Sequence, residues 1–236
     1  MKKAILLSMF LVLSAATAVR ADLITLSQTQ AFSGTPNFKS SLLYSKFDST
    51  LGTLTSVGYT MEINITGGDG RVDNDGEETG TATLKIGAEG RLTETVNGPA
   101  LYPVLNPVVA VTEKTLMLTA NNADSSGTYD WDDGTDNGLL QGTDQSASQF
   151  VSIDPNLIAG YIGSGEAFTI FADVDTSFQI SGLSGLAGSF TPVTTSGVVT
   201  LDYTYETPTA VPLPASIWLF GTTVCAAIGM RRKKTA

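Results

Sequence analysis

Apolar and polar residues alternate with a period of two along much of this chain. Val57, Tyr59, Met61, Ile63 and Ile65 alternate with Gly58, Thr60, Glu62, Asn64 and Thr66. Ala82, Leu84 and Ile86 alternate with Thr81, Thr83 and Lys85, and Leu201, Tyr203 and Tyr205 with Asp202, Thr204 and Glu206. Successive side chains of a strand point to opposite faces, so each run predicts an antiparallel strand with one buried and one wet face. Further strands are expected at residues 23–28, 41–47, 108–119, 167–173 and 177–180. Clusters such as Gly67-Gly68-Asp69-Gly70 read as the turns between them. No helical period is visible between residues 22 and 210. About eight or nine strands over roughly 190 residues predict an all-β fold, an antiparallel two-sheet sandwich of jelly-roll or Ig-like type over 22–206. Two sheets are required because each must cover the other's apolar face.

The pattern changes at both ends. Met1-Lys2-Lys3 precedes an uncharged apolar run of about thirteen residues, too short as a helix (~20 Å) for a ~30 Å hydrocarbon core. Small residues follow in two frames, Ala16-Thr17-Ala18 and Val19-Arg20-Ala21. That is the layout of a secretory signal peptide over residues 1–21, with cleavage expected after Ala21. At the other end no charge occurs between Glu206 and Arg231. Residues 211–230 are long enough for one transmembrane helix of about 30 Å, and Arg231, Arg232, Lys233 and Lys234 form a basic membrane stop. Under the positive-inside bias the bulk of the chain lies outside the cytoplasm. Three segments are therefore expected: signal peptide, sandwich, and a C-terminal tail over 207–236.

Charge and composition narrow the chemistry. The chain has 236 residues and a net charge of −10. Residues 22–210 hold all 23 acidic residues and only six basic ones, a net charge of −17. Such a surface repels polyanions, so no nucleic-acid partner is expected. Histidine is absent, which excludes Ser-His-Asp and Cys-His nucleophile systems. Cys225 is the only cysteine, so no intrachain disulfide exists. No catalytic residue is assigned.

Carboxylates concentrate in two stretches, residues 69–78 and 121–148. The cation they suit is calcium, which prefers hard oxygen ligands. Candidate ligands are Asp69, Asp73, Asp75, Asp130, Asp132 and Asp133. Neither stretch fits an EF-hand: with Gly76 at the sixth loop position Arg71 occupies the first, and with Gly134 there Tyr129 does. No resident cofactor is expected, and calcium would have to sit in an irregular site. A calcium-dependent carbohydrate-binding module is the alternative function, with Tyr129 and Trp131 stacking on a sugar. A carboxylate-pair glycosidase ranks below it, since no pair stands out among so many acids. Asn64-Ile65-Thr66 matches a glycosylation pattern but lies inside a predicted strand.

Two family resemblances sit on particular residues. Val211, Pro212, Leu213 and Pro214, then an apolar helix, then the basic cluster resemble the PEP-CTERM sorting tail of Gram-negative bacteria. Leu213 stands where the family's namesake has Glu. The two prolines lack N–H donors and bias their neighbours to extended backbone, a shape a processing enzyme can thread. The resemblance implies processing by exosortase after signal peptidase, passage through an inner-membrane-spanning intermediate, and a destination at the cell surface or outside. The role expected of such a sorted protein is structural or adhesive, in envelope or polymer matrix, with exopolysaccharide as an expected partner. The second resemblance begins at Phe47-Asp48-Ser49-Thr50-Leu51-Gly52-Thr53-Leu54 and continues through Gly163-Ser164-Gly165 to Tyr203-Thr204-Tyr205. This order is similar to the choice-of-anchor class E exported domain, which implies location and fold but no reaction. In physical terms Leu51-Gly52-Thr53 reads as a tight turn leading into a long core strand.

Overall fold

The longest alternating run forms the spine of the molecule. Thr53–Thr66 is one strand, and its inward residues Val57, Tyr59, Met61, Ile63 and Ile65 are at most 1% exposed. The computed structural model describes residues 22–96, 98, 107–121 and 135–208. Eleven strands lie among them: β1 (Leu23–Gly34), β2 (Phe38–Ser45), β3 (Thr53–Thr66), β4 (Asp69–Asn74), β5 (Gly80–Val96), β6 (Val108–Leu118), β7 (Asn137–Gln141), β8 (Gln145–Ser152), β9 (Ala167–Ser181), β10 (Leu186–Thr191) and β11 (Thr194–Glu206). A 3₁₀ helix, Pro155–Tyr161, joins β8 to β9, capped by Asp154, whose carboxylate accepts from the Asn156 N–H at 2.8 Å.

All strand pairings are antiparallel, in three hydrogen-bonded sheets: β1-β11-β3-β8, β10-β4-β7 and β2-β9-β5-β6. The expectation of two sheets needs this correction, and the chain path gives the reason. β3 runs into β4, β7 into β8, and β10 into β11, each across a gap of two or three residues at one level. The small sheet therefore keeps the strand order of β11-β3-β8, and the two together form one layer broken at a corner. β2-β9-β5-β6 is the opposing layer, and its long central strands β5 and β9 reach both halves. Ile63 and Met61 of β3 close over Gly90 of β5, while Leu84 of β5 and Phe178 of β9 lie beside Gly70 of β4.

Glycine makes the corner. Gly67 and Gly68 adopt φ of 68° and 78°, a region side chains disfavour. The Gly142 N–H donates to the Gly68 carbonyl at 2.7 Å, and a Cβ at Gly142 would lie 1.9 Å from the Gly67 oxygen. The turn expected at residues 67–70 is thus only Gly67-Gly68. Asp69 and Gly70 already belong to β4, because Gly70, Val72 and Asn74 turn inward and are buried. Residues 167–173 and 177–180, expected as two strands, are one continuous β9.

A set of aromatic rings joins the layers. The Tyr44 hydroxyl on β2 donates to the Val199 carbonyl of β11 at 2.8 Å, and the Tyr203 hydroxyl on β11 donates to the Ser45 carbonyl at 2.9 Å. Between these crossing bonds, Tyr161 sits edge-on to Phe168 and Tyr203, with ring centroids 5.8 and 6.4 Å apart. Tyr59 packs on Tyr161 at 6.2 Å. The hydroxyls of Tyr59 and Tyr161 are buried near each other without a well-formed hydrogen bond. Burial pushes all four phenols above their ordinary ionisation range.

Two outcomes follow. Gly142→Ala is expected to lower stability by about 2 kcal/mol or more through overpacking. Gly67→Ala meets open space and is expected to cost only about 1 kcal/mol of left-handed strain. Urea unfolding of both variants checks the order. Above pH about 10 the unfolded chain loses phenolic protons that the folded state keeps. Stability from these tyrosines is therefore full below that pH and falls as pH rises past it. A melting midpoint that is flat from pH 7 to 9 and drops above about 10, with the buried phenolate absorbance appearing only on unfolding, is the expected record.

Candidate functional site

The described residues place the sequence candidates in different surroundings. Asp69 and Asp75 are exposed at the two ends of β4, whereas Asp73 is 4% exposed. Asp69 and Asp73 lie four steps apart along β4, about 13 Å, too far for both to ligate one calcium at ~2.5 Å. Among the described residues no three His, Cys, Asp or Glu side chains converge on a metal position. Asp130, Asp132 and Asp133 lie outside the described residues, as do Tyr129, Trp131, Ala21, Val211, Pro212, Leu213, Pro214 and the basic cluster Arg231, Arg232, Lys233 and Lys234. Among the described residues no helix is long and apolar enough to cross a membrane.

Beside Asp73, the buried Asn74 organises the far end of the small sheet. Its amide donates to the carbonyls of Glu78 (2.9 Å) and Thr119 (2.6 Å), and its side-chain oxygen accepts from the Gly76 N–H at 3.1 Å. Its backbone N–H reaches the carbonyl of Asp136 at 3.0 Å. Part of the acidic stretch at 69–78 is therefore a satisfied polar plug closing the sandwich.

The motif at residues 47–54 also has a packing role. Phe47 is buried, with its ring centroid 5.7 Å from Tyr203 and 5.1 Å from Tyr205. Asp48 accepts from the Thr50 N–H at 2.9 Å, which holds its carboxyl below the usual range. Gly52 abuts the end of β11, where a Cβ would come within 2.1 Å of the Glu206 carbonyl oxygen. The tight turn expected at Leu51-Gly52-Thr53 lies one step earlier, at Asp48–Leu51, where the Leu51 N–H donates to the Asp48 carbonyl at 3.1 Å; Gly52 joins it to β3, which begins at Thr53. Lys46 bonds Glu166 at 2.8 Å and lowers its carboxyl in turn.

The outward faces of the two layers differ in chemistry. On the β2-β9-β5-β6 face, Lys85 pairs with Glu113 at 2.9 Å, Arg91 pairs with Asp175 and Glu89, and Lys39 lies 4.7 Å over the Phe171 ring. On the β1-β11-β3-β8 face there is no Lys or Arg at all. Hydroxyls fill it in cross-strand rows. Thr29 and Thr200 are 3.1 Å apart, Thr25 and Thr204 3.4 Å, and Ser27 donates to Asp202 at 2.5 Å. Register continues the rows as Thr200–Thr60–Phe150, Val198–Glu62–Ser148 and Ser196–Asn64–Ser146. Phe150 is 60% exposed, and its Cε2 and Cζ atoms fill the space above Gly58. At the Asn64 end an open depression of about 530 Å³ is bordered by Ala31, Phe32, Ser33, Asn64, Ser196, Gly197 and Val198, and by Ser40 of β2 in the opposing layer.

Sequence reasoning did not single out Phe150 or this face. The available signal was the alternation of Ser146, Ser148 and Phe150 with Ala147, Gln149 and Val151 in β8, which only strand pairing sets beside Thr60 and Gly58.

No family model matches the chain, and no curated protein matches it. Among solved structures, one similar chain belongs to a structure described as "Structure of infectious bursal disease virus Gx strain". It shares 13% identity over 81% of this chain and 39% of its own length, with a TM-score of 0.18. A likeness of that size identifies neither fold family nor role.

The acidic residues of β4 separate experimentally. Asp73→Ala removes a buried, partnered carboxylate and is expected to cost about 1–3 kcal/mol. Asp69→Ala, at an exposed site, is expected to stay within about 0.5 kcal/mol of the parent. Chemical denaturation of the two variants reads the difference.

Proposed function

We propose that this chain is an exported, non-enzymatic protein with a structural or adhesive role in the cell envelope or extracellular polymer matrix. Its signal peptide directs export, and residues 211–230 hold it across the inner membrane. Exosortase then acts near Val211, Pro212, Leu213 and Pro214, against the basic stop at residues 231–234. The observation that carries the reading is the pairing of the fold's two ends. Leu23, two residues past the expected cleavage after Ala21, pairs with Glu206, the last residue of β11. Leu23–Thr207 forms one unit with its own core. Among the described residues the strands thus start and stop between the expected processing segments, so removing either segment takes away none of the described strands.

The net charge of −17 over residues 22–210 suits a soluble surface protein that repels anionic polymers. The Ser- and Thr-rich outer face is hydrated and lightly charged, as an adhesive or matrix component requires.

Intact mass of the protein isolated from its host tests the assignment. The expected species begins at Asp22 and has lost or exchanged the residues beyond the proline motif. Replacing Pro212 and Pro214 together by Ala is expected to leave a membrane-bound, unprocessed form. Recovery of the whole chain from the cytosol with both ends intact would overturn the proposal.

A further inference from the structure

We propose that the outer face of the β1-β11-β3-β8 sheet binds a neutral polysaccharide, with Phe150 as the ring on which a sugar packs. The inference names a partner class for the matrix role above and rests on that reading. Four observations meet on this face. Phe150 presents a mostly exposed ring held over Gly58, a position where any side chain would collide with it. Ring faces take up the apolar C–H faces of pyranoses while the sugar hydroxyls stay free to bond sideways. Beside the ring, Thr60, Thr200 and Thr29 form a row of hydroxyls, each able to donate and accept, as sugar hydroxyls require.

Two rows further along β3, about 13 Å in the strand direction, stands Asn64 in line with Ser196 and Ser146, beside an open depression that also takes in Phe32, Gly197 and Ser40 of β2. The row between, Val198–Glu62–Ser148, carries a carboxylate acceptor. Ring platform and hydroxyl rows therefore share one face, the ring at its β8 edge and the rows crossing to β1, a surface along which a chain of sugars can lie. Charge selects the polymer class. The four strands bear no cation, and the unit's net charge is strongly negative, so polyuronates and sulfated glycans are repelled while uncharged chains are not.

Affinity electrophoresis of a fragment spanning residues 22–208, which holds every described strand and the whole core, tests this. The gels contain hydroxyethylcellulose, mixed-linkage β-glucan or galactomannan, with sodium alginate and plain polyacrylamide as controls. Retardation in at least one neutral gel, and none in alginate, is expected. Phe150→Tyr keeps the flat ring and is expected to bind like the parent. Phe150→Leu keeps Gly58 covered but loses the ring, and is expected to weaken retardation about tenfold with the melting midpoint little changed. Asn64→Ala, at the far end, is expected to weaken it a few-fold. Absence of retardation in every neutral gel would overturn the proposal. So would retardation in alginate, or equal binding by Phe150→Leu and the parent. A host protein that keeps its tail would instead overturn the sorting reading and leave the gel result standing.

Discussion

Each of the two layers presents an apolar face that must stay covered, and the cover is tied by tyrosines that bond across the gap. Tyr44 reaches from β2 to the backbone of β11, and Tyr203 reaches from β11 back to the end of β2. The rings fill the interior and the hydroxyls spend their polarity on carbonyls of the opposite layer, so one residue type supplies both burial and a directional bond. The bonds run in opposite senses, which resists sliding of the layers past each other. Tyr161, brought in by the 3₁₀ helix, packs against Tyr59, Tyr203 and Phe168 and locks the β8–β9 connection into the same cluster.

The corner and the edges complete the enclosure. Three strands break at one level, so the broken layer covers both halves of the long β5 and β9 with shorter strands. Glycine is needed there because Gly67 and Gly68 turn with positive φ, and because at Gly142 backbone approaches backbone too closely for a Cβ. Along one side, the Gln28 side chain bonds both the N–H and the carbonyl of Ser45 at 2.9 Å and imitates a strand partner for β2. Along the other, Thr112 of β6 and the Thr143 backbone approach at 3.2 Å. These contacts occupy backbone groups at strand margins that would otherwise invite pairing with another chain.

With the interior used up by packing, the chemistry left for recognition lies on the outer faces. One is laced with ion pairs, the other is a sheet of hydroxyls free of cations with a single large ring standing on it. The adjacency of Leu23 and Glu206 puts the start and the stop of the fold side by side.

Much of the β-class was legible in the sequence. The alternations at 57–65, 82–86 and 201–203 name buried residues correctly, since the side-chain period of a strand is a local property of its backbone. Tyr205 is only partly buried because it lies near the end of β11, where cover thins. β4, β7 and β10 were not legible: each is short, and Gly70, Gly138 and Gly188 interrupt the hydrophobic signal, the last two where the Leu116 and Ile180 side chains need room. The acidic residues of 69–78 read as one group in the sequence, yet β4 extends and separates them. The sequence by itself determined which residues alternate, how acidic the body is, and the character of its two ends. Only the tertiary structure decided that three strands turn a common corner, that Tyr44 and Tyr203 bond across the layers, and that Phe150 comes to rest over Gly58. Those outcomes depend on which strands become neighbours, and alternation fixes the face of a residue without fixing what lies beside it.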